Sequence, residues 1–315
     1  MARLARNASW STLVRRYLAH RRKLGYGLRG GELLFDFGKF AGRAAPRQPL
    51  TAALALKWAT SSPATRRRHA ARLSLVRGFA KYCALLDPRT EIPDGHLLGP
   101  VCVRLRPHIY TPGQIRLILR QARSLTTRFS PLHPLTYETL IGLLACTGMR
   151  PGEARRLRLG DLDADGGFLR VAPCKFSPER VIPLHASTVR VLQRYRRARR
   201  GLFPLGDHLF VGVTGQPLQD AAVYRVFSRL TADIPATGDR RSLRLMDFRH
   251  AFASQWIARW SRRSQPVSHY LLRLARYLGH QDFKSTWWYV SSDPKTLQSA
   301  AQSFLRFHEQ CHTLP

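Results

Sequence analysis

Five side chains between positions 150 and 289 could together perform phosphoryl transfer. They comprise two arginines, a lysine, a histidine and a tyrosine: Arg150, Lys175, Arg249, His280 and Tyr289. A guanidinium can bind a phosphate through two hydrogen bonds, and lysine and histidine can donate to its oxygens. A phenol oxygen can attack phosphorus and form a covalent intermediate. These residue types therefore indicate transfer of a phosphoryl group to tyrosine without a metal ion.

The spacing of the histidine and the tyrosine is the feature around which this interpretation is built. His280 and Tyr289 lie nine positions apart in the stretch LGHQDFKSTWWY. A Gly-His pair with a later tyrosine is weak evidence alone, since a helix end before a buried aromatic helix gives the same letters. The motif gains weight from Arg150 in CTGMRPGEARRL and Arg249 in DFRHAFA.

Local sequence patterns predict the elements that must position these groups. Apolar residues at helical spacing predict a helix that stops at Gly148, just before Arg150. Two short alternating runs, 168–172 and 180–184, predict a hairpin with Lys175 near its tip. Phe248, Phe252 and Trp256 predict a buried helical face near Arg249, and a helix before Gly279 would place His280 at its C-terminal cap.

The N-terminal part predicts a bundle of four basic, amphipathic helices. Their apolar stripes are carried by Trp10 to Leu18, Leu33 to Phe40, Leu54 to Trp58, and a long segment over 64–86. We assign residues 1–95 to this helical domain and 96–108, rich in proline and glycine, to a linker. The second domain, 109–315, begins with the capping box Thr111-Pro112-Gly113-Gln114. Its tail, 295–308, predicts a helix that packs either on its own domain or on a neighbouring protomer.

Composition favours nucleic acid as the partner. The 315 residues include 52 Lys+Arg against 19 Asp+Glu, a formal net charge of +33, and 44% are hydrophobic. Such a charge attracts a polyanion through counterion release. A merely basic or ribosome-associated protein is the alternative, but the basic residues alternate with apolar ones as in a folded chain. The length suits two domains.

Metal sites, disulfides and membrane spans are not expected. The five cysteines are scattered without a C-x-x-C pair, which is typical of reduced thiols. The run from Asp161 to Gly166 begins like a calcium loop, but its twelfth position is Ala172 instead of glutamate, so a turn between helix and strand is preferred. No apolar run reaches the roughly 20 residues of a membrane span, and no signal-peptide core is present at the N-terminus.

The order Arg, Lys, Arg, His, Tyr and the wording around each residue resemble the tyrosine recombinases of the phage-integrase family, most closely those of bacterial mobile elements. The resemblance is close over 110–305 and looser over 9–93. It implies a mainly α fold with a small antiparallel sheet, in which an N-terminal helical core-binding (SAM-like) domain precedes the catalytic domain. It implies a site-specific recombinase that cleaves and rejoins double-stranded DNA through a 3′-phosphotyrosyl intermediate.

The resemblance also implies roles and partners. Lys175 would be the general acid, and Glu153 would support Arg150. Met246 stands where the family usually has histidine or lysine, and His250, next to Arg249, is not expected to replace that group. The resemblance implies no cofactor, no metal and no membrane, an oligomer on DNA with identical or related recombinase protomers, and a place on DNA in the bacterial cytoplasm.

Two other functions stay open from the sequence. Met246 can neither donate nor accept a proton, which favours a DNA-binding accessory protein with weak catalysis. A type IB topoisomerase would share the phosphoryl chemistry, but the N-terminal helices favour an integrase. A metal-dependent nuclease is disfavoured, since no convincing acidic cluster is present.

Overall fold

A computed structural model describes residues 8–26, 30–46, 48–100, 107–126, 130–173, 179–236, 242–260, 267–280, 285–286 and 289. The chain divides into two compact units, Met1–Arg104 and Leu105–Pro315. Lys175 and the predicted tail helix lie outside the described residues.

Within its described residues, the first unit contains four helices around one core. They are α1 (Trp10–Lys23), α2 (Gly31–Ala44), α3 (Ala52–Thr60) and α4 (Arg66–Ala84). Side-chain caps start two of them, because Ser9 accepts from the backbone N–H of Thr12 and Thr51 from that of Leu54. The core contains edge-to-face aromatic pairs: Trp10–Phe37, Phe37–Trp58, Phe37–Phe79 and Tyr17–Phe79.

One predicted stripe in this unit is confirmed only in part. Leu34 and Phe37 are buried as expected, but the side chain of Leu33 is 40% exposed. The buried face of α2 also includes Gly38 and Ala41. A Cβ at Gly38 would lie 3.6 Å from the backbone of Trp10, so small residues allow α1 and α2 to pack closely. The pattern of large apolar residues did not predict these two small residues.

The second unit begins with the predicted capping box. Thr111 Oγ1 accepts from the Gln114 backbone N–H at 3.2 Å, and Gln114 Oε1 accepts from the Thr111 N–H at 3.0 Å. The helices that follow are α5 (Pro112–Arg123), α6 (Leu132–Thr147), α7 (Pro151–Arg155), α8 (Ala186–Leu202), α9 (Asp220–Leu230), α10 (Met246–Trp260) and α11 (Val267–Leu278). The buried faces of α5 to α9 and the start of α10 form the larger core of the chain. The rest of α10 packs with α11 and Tyr289 in a separate, smaller cluster.

A three-stranded antiparallel sheet lies between α7 and α8. Its strands are β1 (Leu162–Asp163), β2 (Phe168–Val171) and β3 (Arg180–Pro183), in the order β1-β2-β3. Leu169 pairs with Ile182 and Val171 with Arg180, which confirms the predicted antiparallel pairing of these two runs. The mainly α fold with a small antiparallel sheet is therefore confirmed.

The acidic run before β2 forms a turn with a short strand. Asp161 ends a 3-10 helix, and Asp163 belongs to β1. The Asp163 carboxylate accepts a hydrogen bond from the Gly166 N–H at 2.7 Å. The described residues include no group of three or more His, Cys, Asp or Glu side chains able to hold a metal ion. Within the same residues, no helix has the length and apolarity to cross a membrane.

The buried face of α10 differs in part from the prediction. Phe248 is buried as expected, but Trp256 is 36% exposed. The buried positions in this part of α10 are instead occupied by Ile257 and by small or polar residues such as Ala253 and Ser254. Trp256 packs against Trp260 at the side of the helix, with ring centroids 5.5 Å apart.

Candidate active site

A glycine with a positive φ angle directs the chain into the site. Gly148 ends α6 with φ 60°, the left-handed conformation that favours glycine at a helix C-terminus. A Cβ at this position would lie 2.6 Å from the ring of Phe252, so the close approach of α10 also requires glycine. Two residues later, Arg150 is the N-cap of α7, which begins with Pro151.

Glu153 holds two guanidiniums with one carboxylate. Its Oε1 accepts from Arg150 Nη1 at 2.8 Å, and its Oε2 accepts from Arg180 Nη2 at 2.6 Å. The Glu153 residue is 4% exposed. Burial alone would raise the pKa of this carboxyl, but the hydrogen bond and charge of Arg180, with the donors of Arg150, lower it to about 2. Glu153 is therefore an anion at neutral pH.

Arg180 is a site component that the sequence analysis missed. It lies at the start of β3, on the same inward face as buried Ile182, while Val181 between them is exposed. Its Nε donates to the carbonyl of Tyr277 at 2.9 Å, while both terminal nitrogens donate to Glu153. An arginine at an inward position of an alternating strand was the available signal, because a buried arginine requires a partner.

Arg249 is buried beneath the ends of two helices. It is 2% exposed and donates to the carbonyls of Gly148 at 3.2 Å and Leu278 at 2.7 Å. These carbonyls belong to helix C-termini, where backbone acceptors lack helical partners. Burial lowers the pKa of Arg249, while a hydrogen bond and the charge of Tyr289 act in the opposite direction. Arginine nevertheless remains a cation in proteins.

His280 is neutral and has a defined tautomer. Its Nε2 lies 2.8 Å from Arg249 Nη2, and its Nδ1 lies 2.7 Å from Thr286 Oγ1. Because a guanidinium can only donate, Nε2 is the acceptor and Nδ1 carries the proton that is donated to Thr286. Burial first, and then the charges of Arg249 and Arg150, lower the pKa of His280 to about 3.

Tyr289 lies against two histidines and one arginine. The Tyr289 residue is 4% exposed, and its ring stacks on that of His280 with centroids 5.8 Å apart. The ring of His250 meets it edge-on at 5.2 Å. A side-chain hydrogen bond links Tyr289 to Arg249. The phenol is thus held beside a guanidinium and an imidazole.

The structure brings together Arg150, Arg249, His280, Tyr289 and the supporting Glu153, whereas Lys175 lies outside the described residues. Arg150 Nη2 also donates to the Gly279 carbonyl at 3.3 Å. This hydrogen bond connects the start of α7 to the segment that carries His280. Met246 begins α10 and is partly buried, and it precedes Arg249 by three residues, so the two lie on one face of the helix.

Comparisons with known proteins identify the family of this chain. A family model described as the phage integrase family matches residues 111–296, more than half of the chain. The Sinorhizobium fredii protein y4rB, named as an integrase/recombinase, is 37% identical over 93% of this chain and 96% of its own length. The tyrosine recombinase XerD of Rhizobium meliloti is 28% identical over 74% of this chain and 73% of its own.

Solved structures show the same fold. The XerH site-specific recombinase bound to palindromic difH substrate has a TM-score of 0.65 at 18% identity, covering 93% of this chain and 84% of its own. The Tn1549 transposon integrase in complex with transposon right end DNA also has a TM-score of 0.65, at 17% identity, covering 93% of this chain and 98% of its own. With a matching family model and a relative of this identity and coverage, the chain belongs to the phage integrase family of tyrosine recombinases.

Proposed function

We propose that this protein is a site-specific DNA recombinase of a bacterial mobile element, which cleaves and rejoins DNA through a phosphotyrosine at Tyr289. The observation that carries the proposal is the placement of a buried tyrosine in hydrogen-bond contact with Arg249, beside His280. The formal net charge of +33 supports DNA as the substrate, in the bacterial cytoplasm. Similar solved structures hold recombinase substrate or transposon-end DNA.

The proposed chemistry uses fixed cations. When the Tyr289 oxygen attacks the scissile phosphorus, the phenol loses its proton to solvent and the bond from phosphorus to the 5′-oxygen breaks. Negative charge grows on the nonbridging oxygens during this step, and Arg150 and Arg249 stabilise it. Arg150 is suited to reach DNA because its side chain is 29% exposed, against 2% for its partner Glu153. The 3′-phosphotyrosyl bond retains the energy of the phosphodiester. Rejoining to another strand therefore requires no ATP.

In this proposal Lys175 donates a proton to the leaving group, and His280 acts as a hydrogen-bond partner. The departing 5′-oxygen must gain a proton, which we assign to Lys175 on the hairpin between β2 and β3. His280 orients Arg249 through Nε2 while neutral. The negative charge of a phosphodiester would offset the arginine charges that lower its pKa, and a protonated His280 can donate to a nonbridging oxygen.

Met246 supports a second candidate function. A thioether on the Arg249 face of α10 leaves one donor missing compared with the histidine or lysine expected there. On this ground the alternative is an accessory protein that binds DNA beside a more active recombinase. Both candidates predict DNA binding and assembly with other protomers on DNA, and only the first predicts a covalent adduct.

The test is the covalent adduct itself. Radiolabelled fragments of the DNA that flanks the gene are incubated with the protein and separated under denaturing conditions. We expect a protein–DNA band for the wild type and none for Tyr289→Phe, which lacks the nucleophilic oxygen but keeps the ring packing. Tyr270→Phe is the matched control, since Tyr270 stacks on Trp260 at 5.0 Å instead of facing Arg249.

Each outcome separates the candidates. An adduct that persists in Tyr289→Phe contradicts the assignment of the nucleophile. DNA binding by the wild type without any adduct favours the accessory role. An adduct that is lost equally in Tyr270→Phe would mean that the assay reports general damage to the fold.

A further inference from the structure

Arg180 is buried, and the hydrogen bonds that the structure describes for it are made with other groups of the protein. Its side chain is 7% exposed, and Glu153 beside it is 2% exposed. Its Nε binds the Tyr277 carbonyl, and its terminal nitrogens bind Glu153 at 2.6 and 3.3 Å. A guanidinium that is buried and bonded in this way is poorly placed to bind a phosphate, which favours an indirect role of Arg180.

The charges around Glu153 show what Arg180 contributes. Glu153 accepts from Arg150 at 2.8 Å and from Arg180 at 2.6 Å. Two guanidiniums and one carboxylate leave one net positive charge on this cluster. Without Arg180, the carboxylate would pair with Arg150 alone, and the net charge presented to DNA by that pair would be zero. Arg180 thus counters the anion that positions Arg150.

The same side chain joins three elements of the second unit. Arg180 lies on β3, Glu153 on α7, and the Tyr277 carbonyl on α11, shortly before His280. The planar fork of arginine can make these bonds together, whereas the point charge of lysine cannot reproduce their geometry. One residue therefore fixes both the orientation and the effective charge of the Arg150 site.

We propose that Arg180 is a positioning residue for phosphate activation: by sharing Glu153 with Arg150, it keeps Arg150 oriented without letting the carboxylate neutralise it. The inference rests on the proposed recombinase function. Its direct consequence is that loss of Arg180 weakens stabilisation of the transition state while leaving DNA binding nearly intact, because the many other basic residues supply most of the affinity.

The experiment measures the rate of covalent adduct formation at saturating DNA, together with DNA affinity and thermal unfolding. The probe is the same labelled flanking DNA. For Arg180→Gln we expect adduct formation slowed by about tenfold or more, corresponding to about 1.4 kcal/mol. The decisive variant is the double substitution Glu153→Gln with Arg180→Gln, which removes the neutralising carboxylate as well. We expect it to form adduct faster than Arg180→Gln alone.

A purely structural role predicts the reverse order. If Arg180 only braces the fold, the double variant, which loses both ends of the ion pair, forms adduct no faster than the single variant. That result, or a wild-type rate for Arg180→Gln, overturns the proposal. A wild type without any adduct would instead overturn the recombinase function itself, so the two failures can be told apart.

Two further variants keep the test decisive if Arg180→Gln is too unstable to purify. Arg180→Lys retains the compensating charge and the Glu153 carboxylate that orients Arg150, and loses only the fork. The proposal then requires Arg180→Lys to form adduct at least as fast as the double variant, and a faster double variant overturns it. Arg199→Gln is the control for loss of a buried arginine. Arg199 is fully buried, and its described hydrogen bonds go to the carbonyls of Phe203, Leu205 and Gly206, with no carboxylate among them. We expect lower stability and an unchanged rate per folded molecule.

Discussion

Acid should destabilise the second unit through the carboxyl group of Glu153. The pKa of this group falls from its ordinary value of 4.5 to about 2 in the folded protein, since the donors and charges of Arg180 and Arg150 outweigh the effect of burial. A carboxyl with a depressed folded pKa contributes stability that is present above its unfolded pKa. The contribution is lost as the pH falls through the interval between the two values.

The size of this contribution follows from the two pKa values. Each pKa unit corresponds to about 1.36 kcal/mol, so the fall from 4.5 to about 2 gives about 3 kcal/mol. Removing one partner of a buried ion pair costs about 3–5 kcal/mol at neutral pH. The free energy of unfolding of Glu153→Gln should therefore be lower than that of the wild type by about that amount at pH 7. This difference in unfolding free energy should decrease by about 3 kcal/mol between about pH 5 and about pH 2.

The assay is urea unfolding followed by circular dichroism at a series of pH values, for the wild type and Glu153→Gln side by side. Taking the difference between the two proteins removes the acid sensitivity that they share. Asp207→Asn is the control, because Asp207 pairs with Arg158 on the surface with a side chain 54% exposed, and such a pair contributes at most about 1 kcal/mol. A gap that stays constant down to pH 2 would refute the assignment of Glu153 as a strongly held anion.

Two further outcomes are expected from the proposed chemistry. Lys175→Ala should block cleavage of an ordinary phosphodiester far more than cleavage of one with sulfur at the 5′-bridging position, since a thiolate leaves without a proton. Equal losses on the two substrates would exclude Lys175 as the general acid. Met246→His should raise the rate of adduct formation, by up to about 10²-fold, with little change in DNA affinity, because the added donor acts on charge that develops during attack. If DNA stays bound but adduct remains undetectable in Met246→His, the accessory role is favoured.

Local sequence signals predicted the elements of the fold well where one short-range pattern decides them. The Thr111 capping box, the stop at Gly148 and the pairing of β2 with β3 all depend on neighbouring residues, and the structure shows each of them. The buried faces of α2 and α10 were less predictable. There, small residues such as Gly38 and Ala253 pack inward, and large ones such as Trp256 remain partly exposed, because the partner helix sets the available space.

The sequence predicted the residue types of the site but not all of the hydrogen bonds and ion pairs that connect them. Motifs at 150, 249, 280 and 289 identified the groups that meet in the structure. Arg180 was missed because its role depends on a residue distant in sequence, Glu153, which lies 27 positions earlier. Thr286 lies only six positions after His280, but its contact with that ring depends on how the chain folds between them. Tertiary packing alone reveals that one carboxylate serves two arginines.

The way the guanidiniums are satisfied explains how the site stays positive although it is buried. Arg249 donates its described backbone hydrogen bonds to the carbonyls of Gly148 and Leu278, and Arg180 and Arg150 each donate to one carbonyl, that of Tyr277 and that of Gly279 respectively. Carbonyl oxygens satisfy N–H donors and carry a partial negative charge at helix C-termini, yet they add no full charge. If each arginine were paired with a carboxylate, the same donors would be satisfied but the positive charges would be cancelled. Among the described contacts of these three arginines, Glu153 is the only carboxylate, so two net positive charges remain where the proposed transition state gathers negative charge.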